Sequence, residues 1–160
     1  MKQVLGVVVL ASLGCAGLPQ IGAPTDLTGC DAYIDHGTMP TWSPDQVVLG
    51  NADAMRDEEL DCYMGVFHPD SAQITASFLQ TAGVFETYDL EAKFEGPLAV
   101  EMVGSDEALV TFTQLTWNNN NEPFTPARAR GVHTMKKNEE GRWRLLQSVF
   151  THREEWVQTP

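Results

Sequence analysis

Two side chains in this sequence have the types and surroundings that acid–base chemistry requires. His133 lies within a β-prone run, and the ordinary pKa of its imidazole suits proton transfer near neutral pH. Tyr63 lies on the apolar stripe of a predicted helix, where a buried hydroxyl group needs a hydrogen-bonding partner. His133 as a base and Tyr63 as a donor are therefore candidate catalytic residues, although both also suit structural roles in a core.

A ligand pocket is predicted around these two side chains. Gln114 is the first polar residue in an alternating apolar series along a predicted strand, as expected where a strand leaves a core for a cavity mouth or for solvent. Phe67 shares the helical face of Tyr63, and Trp117 ends the same strand as Gln114. The predicted lining residues are Tyr63, Phe67, Gln114, Trp117 and His133.

The orientation of His133 depends on the register of a predicted β-hairpin. Pairing with Gln147 is favoured because it places His133 on the apolar face of that hairpin. This face carries Met135, Trp143, Leu145 and Val149. A slip of one residue would pair His133 with Ser148 and place it on the face of Arg144 and Leu146.

Metal and cofactor binding find no support in the residue spacing. His68 and Asp70 are better explained as a helix end and the cap of the next helix than as a ligand pair. The sequence contains no Gly-any-Ser-any-Gly motif, and Cys62 lacks an evident activating cation. We therefore expect no metal site and no cofactor.

Three capped helices precede the strands in the predicted order of elements. Ser43-Pro44-Asp45-Gln46 has the pattern of a helix N-terminus, Asp57 is predicted to cap a second helix, and Asp70 or Ser71 a third. The predicted strands cover 88–103, interrupted at Gly96-Pro97, and then 108–117, 129–137 and 142–150, with a turn at 138–141. This order predicts an α+β fold with about four long antiparallel strands.

The N-terminus has the pattern of an export signal. Met1-Lys2 is followed by an apolar run over residues 4–13, which is too short for a stable membrane anchor. The run ends at Ser12-Leu13-Gly14-Cys15, which resembles the lipobox of bacterial lipoproteins, where the Cys is lipidated and becomes the new N-terminus. We expect a signal peptide over residues 1–14 and a lipid on Cys15, with ordinary cleavage near Ala16 or Gly17 as the alternative. The expected location is the bacterial envelope, with a lipid anchor in the membrane and the domain facing the periplasm.

The number of cysteines bears on their pairing. Three cysteines leave one unpaired in an exported protein unless Cys15 carries the lipid. Cys30 and Cys62 would then be free to form a disulfide between the N-terminal segment and the second helix. The alternative is that Cys62 is simply a small buried residue.

The charge of the chain is strongly acidic and uneven. The net charge is −12, with 17 acidic and two basic residues over 26–107 but five acidic and seven basic residues over 108–160. This balance argues against nucleic acid as a partner, because binding to phosphates needs clustered Lys and Arg. A length of 160 residues with a 42% hydrophobic share fits one globular domain.

Four short segments carry a resemblance to a known superfamily. Ala54-Met55-Arg56-Asp57-Glu58-Glu59-Leu60 leads to Phe67-His68-Pro69-Asp70, and Arg130-Gly131-Val132-His133-Thr134-Met135-Lys136 is followed by Gly141-Arg142-Trp143-Arg144-Leu145. In this order, over residues 43–151, they resemble the nuclear transport factor 2-like (NTF2-like, or SnoaL-like) superfamily. The resemblance implies a cone, in which three N-terminal helices pack into the concave face of a strongly curved sheet.

The resemblance also implies how the chain is divided and what it does. Residues 15–42 would be a linker and N-terminal segment, 43–153 the NTF2-like domain, and 154–160 a tail. This superfamily contains isomerases, dehydratases, cyclases and transport factors, and its members often dimerise through the sheet, so the fold implies little about activity. We expect an envelope binding domain without assured catalysis, holding a small apolar ligand in the cone or a protein partner on the sheet. The alternative is an isomerase, dehydratase or cyclase that uses His133 and Tyr63.

Overall fold

Three helices precede a single antiparallel sheet in the computed structural model, which describes residues 24–36 and 41–157. The helices are α1 (Pro44–Arg56), α2 (Leu60–Gly65) and α3 (Ile74–Phe85). The strands are β1 (Leu90–Phe94), β2 (Ala99–Met102), β3 (Glu107–Asn118), β4 (Ala127–Lys137) and β5 (Trp143–Glu155). This order confirms the predicted α+β fold class.

The sheet has the strand order β1-β3-β4-β5, and β2 also pairs with β3. β1 pairs with the C-terminal half of β3 and β2 with its N-terminal half, so the two are parts of one interrupted edge. The interruption includes Gly96, whose φ of 73° is a left-handed conformation that favours glycine. If β1 and β2 are taken as one strand, the sheet has the four long strands predicted from the sequence.

The hydrophobic core lies between the helices and one face of the sheet, which we call the inner face. Val47 and Val48 from α1 are buried in one cluster with side chains from the sheet. Alternation along β3 and β4 decides which side chains reach this face. The inner face carries Ala108, Val110, Phe112 and Gln114 on β3 and Gly131, His133 and Met135 on β4.

The helix starts agree with the sequence for α1 but not for the other two helices. Ser43 and Gln46 form the expected capping box. Asp57 is the C-cap of α1, with its backbone N–H donating to the Asp53 carbonyl, and does not start α2. Its carboxylate accepts hydrogen bonds from the Arg56 and Tyr33 side chains instead. The N-cap residue of α3 is Gln73 rather than Asp70 or Ser71. None of the described helices is long and apolar enough to cross a membrane.

A β-bulge in β5 sets the register of the last hairpin. Met135 pairs with Leu145, whereas the preceding Thr134 pairs with Gln147, so Leu146 is an extra residue between the two pairs. Without this extra residue, every side chain of β5 beyond it would point to the opposite face of the sheet.

His133 therefore pairs with Ser148, and the predicted pairing with Gln147 is wrong. His133 nevertheless points inwards, because its side is set by the unbroken pairing of β4 with β3, and the bulge in β5 changes only the residue that lies opposite it. Gln73 holds the bulged strand from its free edge. Its side-chain amide donates to the Ser148 carbonyl at 3.0 Å and accepts the Ser148 N–H at 2.7 Å. A side chain thus occupies the place of a neighbouring strand.

The N-terminal segment, residues 24–36, is packed into the domain. Cys30 and Cys62 form a disulfide that joins a short 3-10 helix (Cys30–Ala32) to α2. Ile34 is fully buried, and the Asp35 carboxylate accepts the backbone N–H of Trp42 at 2.9 Å. This part of the predicted linker and N-terminal segment is therefore packed against the domain.

Close packing at Gly131 gives a test of this interior. A Cβ on Gly131 would lie 2.5 Å from Phe112 Cζ and 3.0 Å from the Val149 carbonyl oxygen. Gly131→Ala should therefore lower the free energy of unfolding by about 1 to 3 kcal/mol, measured by urea denaturation. Gly83→Ala is the control, because Gly83 lies in α3 and no atom outside that helix lies within 4 Å of the place that a Cβ would take. It should raise the stability by about 1 kcal/mol, and equal effects of the two substitutions would contradict the packing described.

Candidate functional site

His133 lies on the inner face of β4, with only 9% of its surface exposed. Its ring stacks on that of Phe112, with centroids 4.4 Å apart and planes inclined by 30°. Nδ1 is buried and has no hydrogen-bond partner among the described residues. Burial lowers the pKa of His133 to about 4, because the charged imidazolium is poorly solvated there. The imidazole is consequently neutral at neutral pH.

The cavity beside His133 has a volume of about 10 Å³. This volume is at the lower limit for a single water molecule. Apolar side chains from the helices and the sheet supply most of its lining, together with Asn51, whose amide donates to the Tyr63 carbonyl at 3.1 Å. The lining residues are Val47, Val48, Asn51, Val66, His133, Met135 and Leu145. An organic substrate does not fit in this cavity.

Tyr63 serves the packing between α2 and α3 and is not among the residues that line this cavity. Its ring contacts those of Phe67 and Phe85, with centroid distances of 6.1 Å and 5.8 Å. Burial raises the pKa of Tyr63 above its ordinary value, and a hydrogen bond with the Thr81 side chain opposes part of that rise. The Tyr63 hydroxyl therefore already has a partner within the helical layer.

Gln114 and Trp117 lie on opposite faces of β3, because they are three residues apart in a strand with continuous pairing. Gln114 is on the inner face, where its amide donates to the Thr116 hydroxyl at 3.2 Å. Trp117 is on the outer face, where its indole N–H donates to Asn119 at 3.1 Å and its ring lies 5.6 Å from that of Trp156. The sequence interpretation that one pocket contains both side chains is therefore wrong.

A larger space lies between the N-terminal segment, the end of α2 and the β4–β5 turn, and we call it the N-terminal cleft. Its volume of about 420 Å³ falls within the range of small-molecule sites. Among the predicted pocket residues only Phe67 lines it. The lining residues are Pro24, Thr25, Asp26, Leu27, Thr28, His36, Gly65, Phe67, Pro69, Asn138, Glu140 and Arg144.

Arg144 is the buried cation of the N-terminal cleft, with 4% of its surface exposed. Its Nη1 donates to the Trp143 carbonyl at 2.8 Å and its Nη2 to the Asp35 carbonyl at 2.7 Å. The Asp35 carboxylate pairs with Arg142 instead. Within the described part of the chain, Arg144 has no carboxylate at ion-pair distance, and burial lowers the pKa of its guanidinium.

The sequence pattern did not reveal the buried position of Arg144. Alternation with Trp143 and Leu145 correctly assigns it to the outer face of the hairpin, and such a face is normally solvated. Here the N-terminal segment covers that face, and the contact with Asp35 spans 109 positions in the sequence. No local signal in β5 could have shown this covering.

The outer-face cation Arg128 is already neutralised by the sheet. It pairs with Glu95 at 2.6 Å and with Glu154 at 2.8 Å. Over residues 24–36 and 41–157, no group of three or more His, Cys, Asp or Glu is arranged to hold a metal ion. The N-terminal cleft thus has more space than the cavity beside His133 and also contains a buried charge.

The depressed pKa of His133 predicts how stability depends on pH. In the unfolded chain the imidazole takes up a proton near pH 6.5, whereas in the folded protein it resists protonation down to about pH 4. The contribution of His133 to the free energy of unfolding is therefore fully present above pH 6.5. This free energy falls by about 2 to 4 kcal/mol as the pH falls towards 4. His133→Met should flatten this part of the profile, measured by urea denaturation at pH 7.0 and 4.5. A His133→Met profile identical to that of the unsubstituted protein would contradict this dependence.

Solved structures share this fold at low sequence identity. The Bdellovibrio bacteriovorus protein Bd1075 superposes with a TM-score of 0.56 at 8% identity, over 70% of this chain and 39% of its own. An NTF-2 like protein of unknown function from Pseudomonas aeruginosa gives 0.53 at 17% identity, over 66% and 95%. A ketosteroid isomerase-like protein from Erwinia carotovora gives 0.50 at 16% identity, over 63% and 86%. The fold is therefore NTF2-like, as the sequence resemblance predicts.

Sequence comparison gives a family assignment over most of the domain. No curated protein matches the chain in sequence. The model of the family "Anti-sigma-I factor RsgI9, C-terminal domain" matches residues 46–154. This range begins in α1 and ends one residue before the end of β5, so it includes the helical layer and the whole sheet. The chain belongs to the family of the C-terminal domain of anti-sigma-I factor RsgI9.

Proposed function

We propose that this protein is an exported, lipid-anchored domain of the bacterial envelope that acts by binding rather than by catalysis. The observation that carries the proposal is the filled space beside His133. A general base must reach a substrate proton directly or through one water molecule. The only imidazole on the inner face of β4 adjoins a cavity of about 10 Å³, among aliphatic side chains.

The rival function, an isomerase, dehydratase or cyclase using His133 and Tyr63, lacks a comparable observation in its favour. The Tyr63 hydroxyl is hydrogen-bonded to the Thr81 side chain, and Tyr63 does not line the cavity that adjoins His133. The likeness to a ketosteroid isomerase-like protein extends to the fold alone. The same lack of space argues against a small apolar ligand beside His133.

Several features of the chain support export. The apolar run over residues 4–13 and the lipobox-like Ser12-Leu13-Gly14-Cys15 precede the folded domain. The disulfide between Cys30 and Cys62 suits an oxidising compartment. Pro24, where the described structure begins, follows Cys15 by nine residues, and such a length reaches at most about 32 Å when extended. A lipid on Cys15 would thus hold the domain close to the membrane.

The family assignment supports a binding role. The family is named after the C-terminal domain of an anti-sigma factor, which is a regulatory protein. For a partner protein, or for a second copy of this chain bound through the sheet, the exposed apolar side chains at the end of β2 are the proposed contact. Met102 and Val103 are 54% and 57% exposed there.

Native mass spectrometry of the membrane fraction tests the proposal. The unsubstituted protein should sediment with membranes, carry an added lipid mass and contain one disulfide that disappears on reduction. Cys15→Ser should release the protein into the soluble fraction, whereas the neighbouring control Ala16→Ser should remain in the membrane fraction. A Cys15→Ser protein that still carries lipid, or a protein whose mass shows neither lipid nor signal cleavage, would overturn the proposed export and anchoring.

A further inference from the structure

The charge on Arg144 is unusual for its position. Buried charges in proteins are normally paired with an opposite charge or with a ligand, because desolvation of an isolated ion is costly. Arg144 donates only to the backbone carbonyls of Trp143 and Asp35 within the described part of the chain. Arg142 lies nearby but is engaged by the Asp35 carboxylate. The carboxylates of Asp35 and Glu140 act on Arg144 only from beyond ion-pair distance, and an anionic group in the N-terminal cleft would provide a direct partner.

Two other polar groups of the N-terminal cleft have unused hydrogen-bonding capacity. His36 Nε2 is buried and makes no hydrogen bond to the described residues, although it lies 3.3 Å from an Asp31 carboxylate oxygen without the alignment that such a bond needs. Asn138 Oδ1 accepts the backbone N–H groups of Glu140 and Arg142. These bonds leave the Asn138 amide nitrogen as a donor towards a ligand.

The rim of the N-terminal cleft carries the opposite charge. Asp26 is exposed, and hydrogen bonds from the side chain and backbone of Thr28 lower the pKa of its carboxyl, so it is ionised at neutral pH. Glu140 is also exposed and lies 3.6 Å from the Arg142 guanidinium. Both carboxylates line the same cleft as Arg144. The site therefore has a buried cation and two anions at its mouth.

We propose that the N-terminal cleft binds a short peptide with free termini. The peptide carboxylate pairs with Arg144, and its ammonium group faces Asp26 and Glu140. A multiply charged anion such as phosphate is disfavoured, because the two rim carboxylates repel it. The volume of about 420 Å³ is adequate for a dipeptide. This inference rests on the proposed binding role and adds a second site, for a small ligand, to the proposed contact at the end of β2.

A set of three probe peptides separates the two charge contacts. The full chain, ¹⁵N-labelled and with its disulfide intact, is titrated with L-alanyl-L-alanine, with its N-acetyl derivative and with its C-terminal amide, and binding is followed by NMR. Only the unmodified dipeptide satisfies both contacts, so it should bind at least about tenfold more tightly than either derivative. The shifted amides should be those of residues 25–28, 138–140 and 144. Equal binding of all three peptides, or shifts confined to other regions, would overturn the proposal.

Matched variants assign the contacts to residues. Glu140→Gln should weaken binding of the dipeptide about two- to fivefold, whereas Glu139→Gln should not, because Glu139 is an exposed neighbour that does not line the cleft. Arg144→Gln should reduce binding at least about tenfold. This substitution also removes hydrogen bonds that stabilise the fold. Arg144→Lys is therefore a second test, because it keeps the positive charge but loses the contact of two guanidinium nitrogens with the peptide carboxylate. A dipeptide that binds each variant as tightly as the unsubstituted protein would contradict the proposed site.

Failure of this inference is distinguishable from failure of the proposed function. If the dipeptide does not bind at millimolar concentration while the protein still carries lipid and its disulfide, the peptide site is wrong and the envelope location stands. If the dipeptide binds as predicted to a protein that is never exported, the cleft is a peptide site and the proposed location is wrong.

Discussion

Leu146 is an extra residue in β5, and the bulge it creates is the constraint on which the rest of the interior depends. Because the bulge shifts the pairing by one position, Ser148 lies opposite His133 while Leu145 still lies opposite Met135. Ser148 and Phe150 therefore lie on the inner face in place of Gln147 and Val149, and the Phe150 ring contacts that of Phe112 with a centroid distance of 5.8 Å. Gln73 stabilises the same place from outside the sheet by bonding both backbone groups of Ser148.

The space for a ligand lies outside the core of the domain. The inward imidazole and the aliphatic side chains around it occupy the space beside the inner face of β4, where the superfamily resemblance led us to expect a pocket. Outside this core, the N-terminal segment crosses the β4–β5 region and is fixed there by the disulfide and by Asp35. The N-terminal cleft is formed by that crossing. The larger space and the buried Arg144 charge are thus found beside the N-terminal segment and not beside His133.

The elements of the fold were largely predictable, because they depend on local patterns. The capping box at Ser43, the alternation along β3 and the Asn138–Gly141 turn each have a nearby physical cause. The register of β5 was not predictable in this way, because a bulge of one residue leaves the alternation on either side intact. The buried position of Arg144 was also missed, since the segment that covers it lies more than 100 residues earlier in the chain. The assignment of Trp117 to the same pocket as Gln114 was wrong for a simpler reason. Side chains three residues apart on one strand point to opposite faces of the sheet.

The inner face of β4 belongs to a packed core and not to a pocket. Methyl NMR under xenon pressure tests this most directly, because xenon enters dry apolar cavities large enough to hold it. We expect no xenon-dependent shift for the methyl groups of Val47, Val48, Met135 and Leu145, since the cavity they line measures about 10 Å³. Saturable shifts at these methyl groups would reveal an internal pocket and would show that this interior is not packed.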